Sequence, residues 1–190
     1  MPVDLLDPRT ALVLIDLQRG ITALPTIHSA DDVVHQAGRL VRGWHQRALP
    51  VIAVHVNYSL DFGDVLSART DASPPRVTPG PDFAELRPEL GLTSSDLVVT
   101  KRGWNAFYGT ELDLQLRRRN VTGIVLAGIS TSIGVESTAR AAAERGYEVA
   151  IASDAVTDTS ALAHQASMEV TLPRLGQLDV ADRLLAALTA

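Results

Sequence analysis

"SADDVVHQAGRLVRGWHQRALPVIAVHV" (residues 29–56) decides the fold. Val33, Val34, Ala37, Leu40, Val41, Trp44 and Ala48 recur at spacings of three and four, which gives a helix from Ser29 to Ala48 one apolar face, with Ser29 as its candidate N-cap. Pro50 interrupts that pattern and introduces "VIAVHV" (51–56), an apolar β-branched run suited to a strand covered on both faces. Upstream, "TALVLID" (10–16) is a second such run and ends in an acid. Two buried strands joined by a helix form a crossover unit, and the strands of such a unit run parallel.

The alternation continues downstream. "DLVVTK" (96–101) reads as a third strand, ending in a lysine. "GTELDLQLRRR" (109–119) reads as a helix, with Thr110 as candidate N-cap, Leu112, Leu114 and Leu116 as apolar positions, and arginines complementing the dipole of its last turn. "GIVLAG" (123–128) is a fourth strand, Thr131 to Arg145 contains a helix stopped by Gly146, and "EVAIASDA" (148–155) is a fifth strand. A helix from about Ser160 to Leu172, a short strand within "LGQLDV" and a terminal helix from Asp179 complete the series. Residues 57–95 are proline-rich and lack sustained periodicity, so they are expected to cross the surface as a long functional or mobile loop. The expected fold is therefore a three-layer α/β/α domain over residues 1–190, built on a doubly wound, six-stranded parallel sheet of Rossmann-like type.

Composition excludes several classes. Hydrophobic residues make up 46% and charged residues 21%, ordinary values for a folded domain. The net charge of −5 and the absence of a basic stripe argue against nucleic acid as a partner. With no cysteine in the chain, disulfides, thiolate metal sites and thiol nucleophiles are all absent. No apolar run reaches the roughly 18 residues of a membrane span and "MPVDLLDPRT" has no signal-peptide pattern, so the expectation is a cytoplasmic protein with no membrane association. The five histidines are scattered, so neither a metal site nor a cofactor is expected.

Ligands of doubly wound sheets bind beyond the carboxyl ends of the strands. Asp16, Lys101 and the hydroxyl-rich turn opening at Ser130 all fall there. Asp16 could simply cap a turn, and Lys101 could be a solvated charge after an edge strand. Together, a carboxylate and an ammonium at one rim can form a proton-transfer pair. Trp104, Phe107 and Tyr108 follow the lysine in a chain with only 4% aromatics, and are candidates for an apolar pocket wall or for packing the loop. Gln18, Asn105 and Tyr108 are candidate polar contacts, and "GISTSIG" (128–134) could present backbone N–H donors at a helix N-terminus.

"ALVLIDLQ", "VVTKRGWNAFYGTEL" and "GISTSIGVESTARAAAERGYEVAIASDAV" resemble, in the same order, the motifs of the isochorismatase-like hydrolases, and in particular of their YecD-type branch. The resemblance implies an Asp–Lys–Cys triad in which the acid is Asp16 and the lysine is Lys101, while the cysteine position falls on Gly134. It further implies a non-proline cis peptide bond between Ile129 and Ser130, and it places Ile129 and Ser130 beside the substrate. Isochorismatases proper resemble this chain in carrying glycine at the nucleophile position, and they cleave a vinyl ether without a covalent enzyme intermediate. The metal-binding Asp and His run that follows the second strand in nicotinamidases is missing from "VHVNYSLDFGD". The expectation is a thiol-independent hydrolase of a small metabolite, assembled as a homo-oligomer, dimer or tetramer; the alternative is a silent binding or scaffold protein that keeps the fold.

Overall fold

The computed structural model describes residues 3, 6–66, 68–71 and 79–188. Part of the proline-rich excursion and both chain ends therefore lie outside the described residues. Six strands, β1 (Thr10–Ile15), β2 (Val51–Val56), β3 (Leu97–Lys101), β4 (Gly123–Ile129), β5 (Glu148–Thr157) and β6 (Gln177–Asp179), form one sheet in the order β3-β2-β1-β4-β5-β6. Every pairing is parallel. The helices are α1 (Arg19–Thr22), α2 (Ala30–Gln46), α3 (Leu112–Arg118), α4 (Glu136–Glu144), α5 (Ala161–Ala166) and α6 (Ala181–Ala187).

The two-residue period of the strands divides the core into two layers. From β1, Leu12 and Leu14 join Val33, Ala37, Leu40, Val41 and Trp44 of α2 and Leu184 of α6, whereas Ala11, Val13 and Ile15 join Leu112 and Leu116 of α3 and Ala139 and Ala142 of α4. From β4, Val125, Ala127 and Ile129 take the first side, and Ile124 and Leu126 the second. A strand covered on both faces has no polar side to show, which is why β1 is buried at all six positions. At the start of α2 the Ser29 side chain accepts from the Asp32 N–H, as the sequence suggests, and the Trp44 indole N–H donates to the Thr10 carbonyl, tying helix to strand. Among the described residues no helix is long and apolar enough to cross a membrane.

The structure departs from the sequence reading at element ends. Helix α3 starts at Leu112, with Glu111 at its cap; the Thr110 hydroxyl instead donates to the Ala106 carbonyl and accepts from the Leu112 N–H. Leu114 points to solvent at 49% exposure, because the apolar spacing of α3 needs only Leu112 and Leu116 inward. The expected helix from Thr131 begins as a single π turn, Thr131–Val135, before α4. The expected helix from Ser160 to Leu172 breaks after Ala166 into a π turn and then a 3-10 turn over Leu172–Arg174, where Pro173 cannot continue a regular ladder. Strand β5 runs on to Thr157, past the expected end at Ala155.

Candidate active site

The sheet order places β1 between β2 and β4, the point at which an open α/β sheet leaves a crevice at its carboxyl edge. Asp16 is the first residue past β1; its N–H donates to the Val54 carbonyl and its φ of 53° turns the chain off the strand. Lys101 is the last residue of β3, an edge strand, level with Val56 of β2. Its side chain reaches across to Asp16, Nζ to Oδ2 at 2.7 Å, and also donates to the Gly103 carbonyl at 2.9 Å. Both side chains are nearly sealed, at 3% exposure for Lys101 and 7% for Asp16. The Asp16 Oδ1 atom is buried and has no hydrogen-bond partner among the described residues. Burial pushes the Asp16 carboxyl above the usual aspartate range; the Lys101 ammonium pulls the other way without cancelling it.

The third member arrives from β4. The Ile129–Ser130 peptide is cis, as the resemblance implied, and the Ser130 carbonyl accepts from the Ile133 and Val135 N–H groups, both at 3.2 Å, to close the π turn. A β-carbon built on Gly134 would meet Ile15 Cγ2 at 2.8 Å and Asp16 Oδ2 at 3.3 Å. The turn is thus packed directly against the carboxylate, and Asp16, Lys101 and Gly134 converge from three separate motifs.

Several of the other expected contact residues are engaged within the protein. The Gln18 amide is fully buried and wholly engaged: Nε2 donates to the Val56 and Phe83 carbonyls and Oε1 accepts from the Val56 N–H. It braces the end of β2 against the 83–86 segment, with no donor left for a ligand. Phe107 packs its loop onto the domain, the second of the two roles expected of it: it is 5% exposed, stacks on Tyr147 at 5.9 Å and carries the Arg145 guanidinium over its ring at 4.9 Å. Ile129 is a core side chain on the α2 side of the sheet. Asn105 accepts from the Phe107 N–H in a local turn. Trp104 and Tyr108 are exposed, at 59% and 80%. The Ser137 hydroxyl donates to the Ile133 carbonyl and, at 3.4 Å, to the Gly134 carbonyl, and the Thr138 hydroxyl accepts from the Ala106 N–H. His55 is satisfied by the Ala84 carbonyl and the Thr100 hydroxyl.

A second polar group escaped the sequence reading. Asp158, 1% exposed, follows β5 as Asp16 follows β1, and its Oδ2 accepts from both the N–H and the hydroxyl of Ser132 at 2.8 and 2.7 Å. His164 of α5 shares a hydrogen bond with the Thr131 hydroxyl at 2.9 Å and meets the His28 ring edge-on at 5.3 Å. Burial, reinforced by His28, lowers the His164 pKa. The signal was present in "AVTD" (155–158), an acid closing an apolar run, but became legible only once β5 extended to Thr157.

Two clefts lie elsewhere. One of about 860 Å³ opens at the amino ends of the strands, beside Arg9, His45, Asp96 and Arg119, and one of about 430 Å³ lies against Arg39, Arg42 and Leu185. Neither shares a residue with the convergent trio.

The Isochorismatase domain profile matches residues 10–178. The isochorismatase family protein YecD of Escherichia coli O157:H7 is 46% identical over 183 residues, covering 94% of this chain and 96% of its own, and YwoC of Bacillus subtilis (strain 168) is 42% identical over 180 residues, 93% of each. Among solved structures, an isochorismatase family protein from Burkholderia thailandensis superposes with a TM-score of 0.94 at 45% identity over 98% of both chains. With the domain profile matched from residue 10 to 178 and nearly its full length matched by these relatives, the chain belongs to the isochorismatase family of hydrolases.

Proposed function

We propose that this protein hydrolyses a small anionic or cyclic metabolite by acid–base chemistry at Asp16 and Lys101, with no thioester intermediate. The observation that carries the reading is the state of Asp16: a sealed carboxyl held above its ordinary range, one oxygen on the Lys101 ammonium and the other without a hydrogen-bond partner among the described residues. An acid tuned upward in this way can hold a proton nearer neutrality and release it into a transition state. Because Gly134 has no side chain, nothing at the family's nucleophile position can form an acyl-enzyme.

For an enol ether, protonated Asp16 delivers its proton to the alkene carbon, leaving an oxocarbenium ion. Water adds to that cation and returns a proton to Asp16, and the hemiketal collapses to an alcohol and a carbonyl compound. Lys101 holds the carboxyl in place and supplies positive charge for an anionic substrate. The near-closure of the pair means that the substrate enters as the neighbouring loops part, with Trp104 and Tyr108 as the exposed rim residues that would close on it.

The test is a library of small enol ethers, esters and amides offered to the wild type and to Asp16→Asn. Turnover of an enol ether that disappears in Asp16→Asn supports the reading; equal turnover by both proteins rejects it. Thermal stabilisation by a library member with no turnover by the wild type would instead identify a binding protein that keeps the fold.

A further inference from the structure

The turn that carries Gly134 is a single π turn closed on the Ser130 carbonyl, and such turns are frequent at functional sites. Further ties to it come from β5 and α5. Asp158 Oδ2 accepts from the Ser132 N–H and hydroxyl, Oδ1 accepts from the Ser160 N–H at 3.2 Å, and the Asp158 carbonyl accepts from the Ile27 N–H at 2.8 Å. No lysine or arginine pairs with this carboxylate among the described residues, so its two oxygens serve as acceptors for backbone and hydroxyl donors. The preceding residue, Thr131, is tied to His164 of the same β5–α5 unit.

We propose that Asp158 is a positioning residue for Asp16: through Ser132 it holds residues 130–135 down over the Asp16 carboxyl group, with the Thr131–His164 contact as a second tie. The inference rests on the reading of Asp16 as the reacting acid. Physically, the link runs from Asp158 to Ser132, from Ser132 to Gly134 two residues on, and from Gly134, where an added β-carbon would lie 3.3 Å from Oδ2, to the buried Asp16 carboxylate. Releasing the turn would admit water to Asp16. A hydrated carboxylate beside an ammonium titrates lower, so the loss of a remote acid should be felt in the titration of Asp16 itself.

The experiment is a carboxyl-13C NMR titration of wild type, Asp158→Asn, Asp158→Ala, Ser132→Ala and Asp154→Ala, with the Asp16 resonance assigned by its loss in Asp16→Asn. Asp154 is the control, a carboxylate whose Oδ1 caps α6 through the Ala181 N–H and which does not touch the turn. The expected result is a downward shift of the Asp16 midpoint in Asp158→Ala, a smaller one in Ser132→Ala, which keeps the N–H bond, and none in Asp154→Ala. Asp158→Asn should shift the midpoint much less than Asp158→Ala, because its amide oxygen still accepts both Ser132 hydrogen bonds while its NH2 gives up only the Ser160 bond. A folded Asp158→Ala with an unmoved Asp16 midpoint overturns the proposal, as does an Asn variant that shifts like Ala or a control that shifts as much. If Asp158→Ala fails to fold, an unmoved midpoint in Ser132→Ala overturns it. The readout is independent of turnover: undiminished turnover by Asp16→Asn would remove the functional reading while leaving the positioning result to stand or fall by itself.

Discussion

Gly134 and Asp16 are packed so closely that a β-carbon on the glycine would lie 3.3 Å from the aspartate Oδ2 and 2.8 Å from Cγ2 of the neighbouring Ile15. At the first distance the carboxylate must give slightly; at the second the Ile15 methyl must move. Ile15 is fully buried in the layer under α3 and α4, where there is little slack. Gly134→Ala gains helix propensity of at most about 1 kcal/mol and meets overpacking of about 1–3 kcal/mol. The net expectation is a modest destabilisation, read by urea unfolding. A variant more stable than wild type would mean that Ile15 yields freely.

The Lys101 ammonium is the counter-charge of a sealed pair. Lys101→Met should lose about 3–5 kcal/mol at neutral pH, the usual consequence of orphaning a buried charge. It should also raise the Asp16 titration midpoint further, because the ammonium is what pulls it down. As pH falls and Asp16 takes up a proton, the variant's deficit should shrink. Urea midpoints for both proteins at neutral and mildly acidic pH check this; a deficit that stays constant contradicts the ion-pair account.

The raised Asp16 pKa also fixes the sign of its own pH linkage. The folded state holds this proton more tightly than the unfolded chain, whose value is near 3.8. Asp16 therefore adds stability fully below that value, and the contribution is lost as pH rises through the folded midpoint. Relative to Asp16→Asn, the wild type should lose stability with rising pH over that window. Parallel unfolding curves for the two proteins throughout would show that the carboxyl is not perturbed.

Gln18→Leu should leave the Val56 N–H and the Val56 and Phe83 carbonyls without their partner. The expected destabilisation is about 1–3 kcal/mol. Amide exchange should accelerate at Arg19 and Arg87, whose N–H groups donate to Glu85 and Leu17 across the same junction. A fold that keeps these amides protected would show that the brace is dispensable.

At the opposite pole, His45 Nε2 lies 2.9 and 3.0 Å from the two Asp96 oxygens, joining the end of α2 to the start of β3. Asp96→Ala should destabilise by about 1–3 kcal/mol while leaving the Asp16 titration unchanged. A shifted Asp16 midpoint would mean that the two poles are coupled.

The three layers and the parallel sheet are legible in the sequence, because alternating strands and amphipathic helices of ordinary length fit together in few ways. The two-residue period of "ALVLI" and the three-to-four spacing of α2 are local properties, and both survive intact in the core. The motifs also placed Asp16, Lys101 and Gly134 at one rim. Folding in three dimensions sets the rest: the lysine of an edge strand reaches across β2 to a sealed carboxylate, Gln18 and Phe107 face the frame, and Asp158 and His164 bond to Ser132 and Thr131 of the turn. Those outcomes depend on distances between side chains far apart in the chain and on which hydrogen-bond donors are already spent, and a linear pattern of polar and apolar residues encodes neither.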